Sequence, residues 1–308
     1  MTGRELGDLP LSRLMLGTVQ FGMDYGIANR TGQPSYETAR DIIGCAYEGG
    51  VTCLDTAASY GSSEEVLGRA LAELGIADEM VVVTKIRPLE DPSLSARAAT
   101  EKIEASVTSS LRALRLDALP ICLFHREEDF RYAECLLRLR EQGLVRHIGA
   151  SVMTPEAAAS IIGSGVAEAM QLPTSLLDQR YLRRGVLADA REHGVLLFVR
   201  SIYLQGLLLM QEQDVPSQLA DVIPVSRELA ALAEQAGMTL AELAVRYVLG
   251  LEGVTCALVG VETVAQMQQD LALFAKGPLD SALVQAIGDA VPALPGRVLM
   301  PNRWFGAA

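Results

Sequence analysis

The feature of this chain that most constrains its fold is the regular recurrence of short apolar segments of strand length. Most are separated by longer segments that combine helix-forming residues with apolar positions at helical spacing. Ser62 and Thr154 stand where two of these helices should begin, and Gly75 and Gly143 where two should end. The predicted strands are residues 14–18, 51–55, 80–85, 118–125, 145–151, 167–172, 195–200 and 255–260.

Strands that alternate with helices predict an α/β fold with a parallel sheet, and eight such units favour a closed (β/α)8 TIM barrel. The strands are apolar along their whole length, as expected where both faces are covered. A doubly wound open sheet is the alternative, but no GxGxxG motif follows the first strand. Without a linker or repeat, residues 1–308 are predicted to form one domain, with the tail from about 275 to 308 near the active-site face. Residues 19–34 and 201–222 are predicted to be long loops on that face.

Composition excludes several functional classes. The net charge of −12 argues against nucleic acid and anionic membrane surfaces as partners. No apolar run approaches the roughly 20 residues of a membrane span, and no signal peptide is recognised. Five cysteines without a CxxC pair and three dispersed histidines indicate neither a disulfide framework nor a metal site. We expect a cytoplasmic protein that is a monomer or a weak homo-oligomer.

Four polar residues follow successive predicted strands and suggest a catalytic site. Asp55, Lys85 and His125 end strands two, three and four, and Tyr60 lies just after strand two. Because the carboxyl ends of barrel strands surround one mouth, we expect these side chains to converge. Individually, each has an ordinary structural explanation as a turn former, a solvated cation or a packed histidine.

The chemistry of this set suits proton transfer. A phenol with a pKa near 10 is a poor acid at neutral pH, and a nearby lysine cation would lower that pKa. Asp55 would offset the cost of burying Lys85. His125 would orient a substrate oxygen or share the proton. Such a site holds a general acid opposite a carbonyl, so another group must deliver the hydride.

The segments LDTAASYGSSEEVLG (54–68), VVVTK (81–85) and LFH (123–125) resemble the aldo-keto reductase family with its Asp-Tyr-Lys-His tetrad. The resemblance extends from about residue 14 to residue 274. It implies that Tyr60 donates the proton in reduction, Lys85 lowers its pKa, Asp55 pairs with Lys85 and His125 orients the carbonyl. Further segments that resemble the family are LMLGT, GLVRHIGAS, AMQLPTSLLDQR, RSIYLQGLL and LVGVETVAQMQQDL.

The same resemblance implies which residues bind a nicotinamide dinucleotide. The roles run from the nicotinamide ring through its carboxamide and the pyrophosphate to the adenosine. In that order, the implied residues are Gly17 and Thr18; Ser151 and Gln171; Ser201 to Gly206; and Gly260, Glu262, Gln266 and Asp270.

Three positions depart from the family's pattern. Val152 replaces an asparagine that often helps hold the carboxamide, and Arg200 replaces a tyrosine that often stacks on the nicotinamide. Arg200 would either stack through its guanidinium plane or form a structural ion pair. The third is at the adenosine end, where members that prefer NADP usually place basic residues and this chain has Gly260 and Gln266, with Glu262 close by. A carboxylate suits a free ribose diol, and therefore NAD, and repels a 2′-phosphate. Family habit keeps NADP slightly ahead, with Arg227 as one candidate phosphate ligand.

We therefore expect an enzyme that reduces an aldehyde or ketone, or oxidises the matching alcohol or sugar hemiacetal. Tyr25 and Trp304 are candidates for the substrate pocket, and small carbonyl compounds or sugars are the candidate substrates. Two alternatives remain. One is a nicotinamide-sensing binding protein with little turnover, and the other is a barrel isomerase that uses Lys85 as a base or Schiff base.

Overall fold

The predicted barrel is confirmed by a computed structural model that describes residues 5–6, 9–27, 29 and 31–304. Eight parallel strands, β3 to β10, close into a barrel, and a short antiparallel hairpin of β1 and β2 precedes them. The bounds are β1 Glu5–Leu6, β2 Leu9–Pro10, β3 Leu14–Gly17, β4 Cys53–Asp55, β5 Val81–Lys85, β6 Leu119–Phe124, β7 Val145–Ser151, β8 Ala169–Pro173, β9 Leu196–Arg200 and β10 Val254–Gly260.

The strand register brings the carboxyl ends of the strands to one rim. Gly17 of β3 pairs with Asp55 of β4 on one side and with Gly260 of β10 on the other. Across the barrel, Ser151 of β7 pairs with Gln171 of β8. Residues that are far apart in sequence therefore surround a single mouth, where the sequence predicts the site.

The outer layer consists of helices whose ends follow the sequence signals. The Thr154 side chain caps its helix by accepting from the Ala157 amide, and Gly75 ends its helix with a positive φ of 69°. The helices are α1 Val19–Gly22, α2 Tyr36–Glu48, α3 Ser63–Leu74, α4 Ala96–Leu114, α5 Ala133–Glu141, α6 Pro155–Gly163, α7 Arg180–Arg183, α8 Val186–Glu192, α9 Val222–Gln235, α10 Leu240–Gly250, α11 Val264–Ala275, α12 Ser281–Ala290 and α13 Gly296–Leu299.

The core has two layers. Side chains such as Met15 and Phe198 fill the barrel interior, and Leu9 of β2 packs with them. A larger cluster fills the space between the strands and the helices, including Leu54 and Ile103. Both faces of the barrel strands are thus covered, which explains the uninterrupted apolar runs in the sequence. Within the described ranges, no helix is long and apolar enough to cross a membrane.

The two long loops predicted at the active-site face contain some regular structure. The first begins with the single turn of α1, and the second contains three short 3-10 helices before α9 begins at Val222. The Gln205 Nε2 atom donates to the Tyr25 hydroxyl at 3.1 Å, so the two loops touch each other. In the tail, Trp304 Nε1 donates to the Val298 carbonyl at 2.9 Å. The last four residues of the predicted tail lie outside the described residues.

Candidate active site

A buried ion pair lies at the centre of the rim. Lys85 Nζ donates to Asp55 Oδ1 at 2.6 Å and to the Thr56 carbonyl at 2.8 Å, and the Lys85 and Asp55 side chains are almost fully buried. Burial is the largest single effect and lowers the pKa of Lys85, but Asp55 and Tyr60 together outweigh it, and the net pKa of Lys85 is raised. The ammonium group therefore stays charged inside the barrel, where its field is weakly screened by water.

Asp55 holds a second partner that the sequence does not predict. Gln171 Nε2 donates to Asp55 Oδ1 at 2.7 Å, across the barrel from β8 to β4. Thr18 donates through Oγ1 to the Asp55 carbonyl at 2.8 Å. In this structure Gln171 and Thr18 thus help to orient Asp55. The coenzyme contacts that the family resemblance implies for both residues stay predictions.

Tyr60 is positioned by close packing of backbone on backbone. A Cβ atom on Gly22 would lie 1.8 Å from the Tyr60 carbonyl oxygen, and one on Gly61 would lie 2.1 Å from the Gly22 carbonyl oxygen. Gly61 also has a positive φ of 54°. Only glycine fits at both places, so α1 fixes the turn that carries the phenol. The sequence signal for this contact is the pair Gly22 and Gly61, because Gly61 directly follows Tyr60 and Gly22 lies four residues after Thr18.

The Tyr60 ring lies beside both of its predicted partners. Lys85 Nζ is 4.9 Å from the ring centroid, and the His125 ring packs edge-on at a centroid distance of 5.6 Å. Burial raises the pKa of the Tyr60 phenol, and the Lys85 charge lowers it by less, so the net pKa is raised. The sequence-based expectation of a lowered pKa therefore needs correction, because it weighed the cation and omitted burial.

His125 is neutral in this environment. Burial is the main cause, and together with the charges of Lys85 and Arg200 it lowers the pKa of the imidazole to about 3. Its Nδ1 atom lies 3.0 Å from the Ser59 hydroxyl, within hydrogen-bond distance. A neutral imidazole in a fixed orientation is suited to hold a carbonyl oxygen by a hydrogen bond.

A cavity of about 270 Å³ runs from this cluster along the rim. The sequence-predicted residues that line it are Gly17, Tyr25, Asp55, Tyr60, Gln171, Arg200, Ser201, Gly206, Gly260, Glu262 and Gln266. Those that lie outside its lining are Thr18, Lys85, His125, Ser151, Asp270 and Trp304. The cavity therefore joins Tyr60 to the residues implied for a dinucleotide, but Trp304 packs into the tail instead of facing it.

Arg200 lines the cavity next to Ser201, the first residue of the loop after β9. It donates to the Val152 carbonyl at 3.4 Å and to the Ser201 hydroxyl at 3.3 Å. Among the described residues, no carboxylate lies within ion-pair distance of Arg200. The structure therefore does not contain the structural ion pair that was the alternative to stacking. The guanidinium charge thus remains available at the cavity wall.

The loop after β9 has an unusual backbone. Ser201, Leu204 and Gln205 all have positive φ angles, of 64°, 49° and 54°, and Gly206 follows at 90°. Non-glycine residues adopt this region at a cost of about 1–3 kcal/mol each, and such strain concentrates at ligand-binding loops. The strain marks this segment, which lines the cavity, as a candidate anion-binding loop.

Two residues have contacts that the sequence does not reveal near Tyr203, Gly260 and Glu262, the part of the cavity that we call the far end, as opposed to the end beside the tetrad. The Asp270 carboxyl is buried and faces the Tyr203 hydroxyl, so it ties α11 to the strained loop. Burial raises the pKa of Asp270 to about 7, while the hydrogen bond with Tyr203 opposes the rise. Gln20 of α1 also lines the cavity, next to Gly260 and Glu262. No periodic or spacing signal distinguishes Gln20, because its neighbours come from the opposite end of the chain.

A closed barrel with a buried acid–base cluster and a rim cavity defines a (β/α)8-barrel enzyme. The family model described as "Aldo/keto reductase family" matches residues 13–291, so the chain belongs to that family. It is therefore an oxidoreductase acting on carbonyl substrates, in a family that uses nicotinamide cofactors.

Individual relatives agree with this assignment. The chain is 25% identical over 281 residues to aldo-keto reductase YhdN of Bacillus subtilis, covering 83% of each. It is 28% identical over 221 residues to the NADH-specific methylglyoxal reductase of Escherichia coli, covering 65% of this chain and 66% of that one. The fold is similar to that of a solved aldo-keto reductase from Bacillus halodurans, with a TM-score of 0.78 and 23% identity. The match covers 97% of this chain and 99% of that one. A glycerol dehydrogenase from Gluconobacter oxydans, 26% identical, gives 94% coverage of each chain and a TM-score of 0.73.

Proposed function

We propose that this protein reduces small aldehydes or ketones with a nicotinamide dinucleotide, and that Tyr60 donates the proton to the carbonyl oxygen. The observation that carries the proposal is the phenol of Tyr60 beside the buried ammonium of Lys85, in a cavity that residues implied for the dinucleotide also line. The raised pKa of Tyr60 keeps the phenol protonated at neutral pH, as a proton donor requires.

Lys85 would act when the proton leaves. Donation creates a phenolate, and the ammonium group stabilises that charge in a site from which water is largely excluded. Asp55 keeps Lys85 charged, and neutral His125 would hold the substrate oxygen by a hydrogen bond. The bound coenzyme supplies the hydride in reduction and accepts it in the reverse direction.

The cavity suits a dinucleotide in three respects. Gly17 lines the cavity and avoids a tight contact, because a Cβ atom there would lie 3.0 Å from Leu258 Cδ2 and 3.2 Å from the Val259 carbonyl oxygen. The strained segment from Ser201 to Gly206 lines the cavity, and its backbone would hold the pyrophosphate. At the far end, Gln20 Oε1 is a buried acceptor without a partner among the described residues. We propose that these positions hold the nicotinamide, pyrophosphate and adenosine parts, respectively.

The substrate class follows from the relatives and from the loops around the mouth. Some relatives are named for reduction of methylglyoxal or L-glyceraldehyde 3-phosphate, which are small carbonyl compounds. Tyr25, which is 40% exposed at the mouth, is a candidate substrate contact. A cytoplasmic location and a monomeric or weakly oligomeric state stay predictions from the sequence.

The experiment compares two tyrosine variants. Coenzyme oxidation is followed by absorbance with a panel of aldehydes and aldoses, and coenzyme binding is measured separately by titration. Tyr60→Phe should bind coenzyme as the wild type does and lose about 10²–10⁴-fold in kcat, the usual contribution of a general acid. Tyr247→Phe is the matched control, because Tyr247 is buried in α10 away from the cavity. Full activity of Tyr60→Phe would contradict the proposal, and coenzyme binding without turnover in the wild type would favour a sensor.

A further inference from the structure

One end of the cavity carries two hydrogen-bond acceptors side by side. Gln20 is 6% exposed, and its Nε2 atom donates to Glu262 Oε1 at 3.4 Å. This contact orients the amide and leaves Gln20 Oε1 buried without a partner among the described residues. A buried acceptor of this kind is destabilising unless a ligand supplies a donor.

Gly260 makes room for the Gln20 amide. A Cβ atom at Gly260 would lie 2.4 Å from Gln20 Nε2, so any other residue there would displace it. Glu262 is fixed from the other side, because its backbone amide donates to Gln266 Oε1 at 2.7 Å. The two acceptors are therefore held in place by β10 and α11, and Gln266 is occupied in capping that helix.

Positive charge is sparse at this end. Among the described residues that line the cavity, Arg200 is the only cation, and it lies beside Ser201, on the tetrad side of the strained loop. Arg227, the candidate phosphate ligand from the sequence, pairs with Glu212 and lies outside the cavity lining. The described surroundings of Gln20 and Glu262 thus offer acceptors and a negative charge.

We propose that Gln20 and Glu262 form a coenzyme-specificity element that selects NAD(H) over NADP(H). This inference rests on the proposed function of the cavity. A ribose diol presents two O–H donors to the two acceptors, whereas a 2′-phosphate presents acceptors and a charge of about −1.5 to −2. The phosphate would leave Gln20 Oε1 unpaired and would face the Glu262 carboxylate. The proposal therefore departs from the slight preference for NADP that family habit suggests.

The test measures dissociation constants of NADH and NADPH by nicotinamide fluorescence, and of AMP and 2′-phospho-AMP by calorimetry. The wild type should bind NADH at least about tenfold more tightly than NADPH, the ratio expected from one lost hydrogen bond to a charged group. Glu262→Gln should narrow that ratio by improving NADPH binding. Gln20→Met, which keeps the size and removes the acceptor, should weaken NADH binding by about fivefold.

Glu65→Gln provides the matched control, because this exposed carboxylate on α3 carries the same charge away from the cavity. It should leave the ratio unchanged, which separates a local effect from the effect of net charge. Equal or tighter binding of NADPH, or an unchanged ratio in Glu262→Gln, would overturn the specificity element alone. Failure of both coenzymes to bind would overturn the proposed function as well, whereas NADPH-dependent turnover that requires Tyr60 would leave it standing.

Discussion

The two ends of the cavity are built in different ways. At the tetrad end, Asp55 and Lys85 occupy the last positions of neighbouring strands and are joined by a hydrogen bond of 2.6 Å. At the far end, Gln20 comes from a helical turn and Tyr203 from a strained loop, and each meets a partner more than 60 residues away. Strand ends are placed by the register of the barrel, whereas the far end is placed by contacts between loops. The groups proposed for the chemistry thus depend mainly on strand register, whereas those proposed for coenzyme choice depend on loop packing as well.

The largest effect should come from breaking the buried ion pair. Lys85→Met leaves the Asp55 carboxylate buried without its cation, which costs about 3–5 kcal/mol of unfolding free energy. We expect this loss in a guanidinium titration, together with loss of kcat. Arg227→Ala removes an exposed pair and should change stability little. Equal stability of Lys85→Met and wild type would show that the pair is not desolvated as described.

His125 should give the tetrad end a distinct pH dependence. Its folded pKa of about 3 lies below the ordinary value of 6.5, so the unfolded chain binds more protons between these values. Stability should therefore fall as pH drops below about 6.5, by at most about 1.4 kcal/mol per pH unit. In His125→Gln this contribution to the slope between pH 6.5 and 4 should disappear. An identical slope in the variant would show that His125 is protonated in the folded protein.

Asp270 should give the far end the opposite dependence. Its folded pKa of about 7 lies above the ordinary value of 3.8, so the folded chain binds the extra proton between these values. Raising the pH from 4 to 7 should therefore destabilise the wild type relative to Asp270→Asn, which keeps an acceptor for the Tyr203 hydroxyl. The gain of the variant should be about as large as the His125 effect, because the pKa of Asp270 is raised from 3.8 to about 7 and that of His125 is lowered by a similar amount, from 6.5 to about 3. If the difference in stability between Asp270→Asn and the wild type were the same at pH 4 and at pH 7, the burial of this carboxyl would be contradicted.

The contrast between the two ends also explains what the sequence can reveal. Apolar runs separated by helices specify the barrel, and Asp55, Lys85 and His125 can be placed at its rim because each ends a recognisable strand. The Gln171 bond to Asp55 crosses the barrel, and no local pattern encodes it. The contact of Gln20 with Glu262 spans 242 positions in the chain. Such contacts depend on how loops pack once the barrel has closed.

The net pKa of Tyr60 illustrates a second limit. The sequence identifies the cation that lowers the pKa, since Lys85 ends the next strand. It does not give the degree of burial, which depends on how α1 packs on the turn through Gly22 and Gly61. Burial proves to be the larger effect, and it reverses the sign of the net shift.

A crystal structure of the protein with NADH tests the central claim most directly. The account predicts the nicotinamide between Tyr60 and Arg200, and both adenosine ribose hydroxyls within about 3.2 Å of Gln20 Oε1 and the Glu262 carboxylate. A dinucleotide bound in the reverse orientation, or one whose nicotinamide lies away from the Tyr60 hydroxyl, would contradict it.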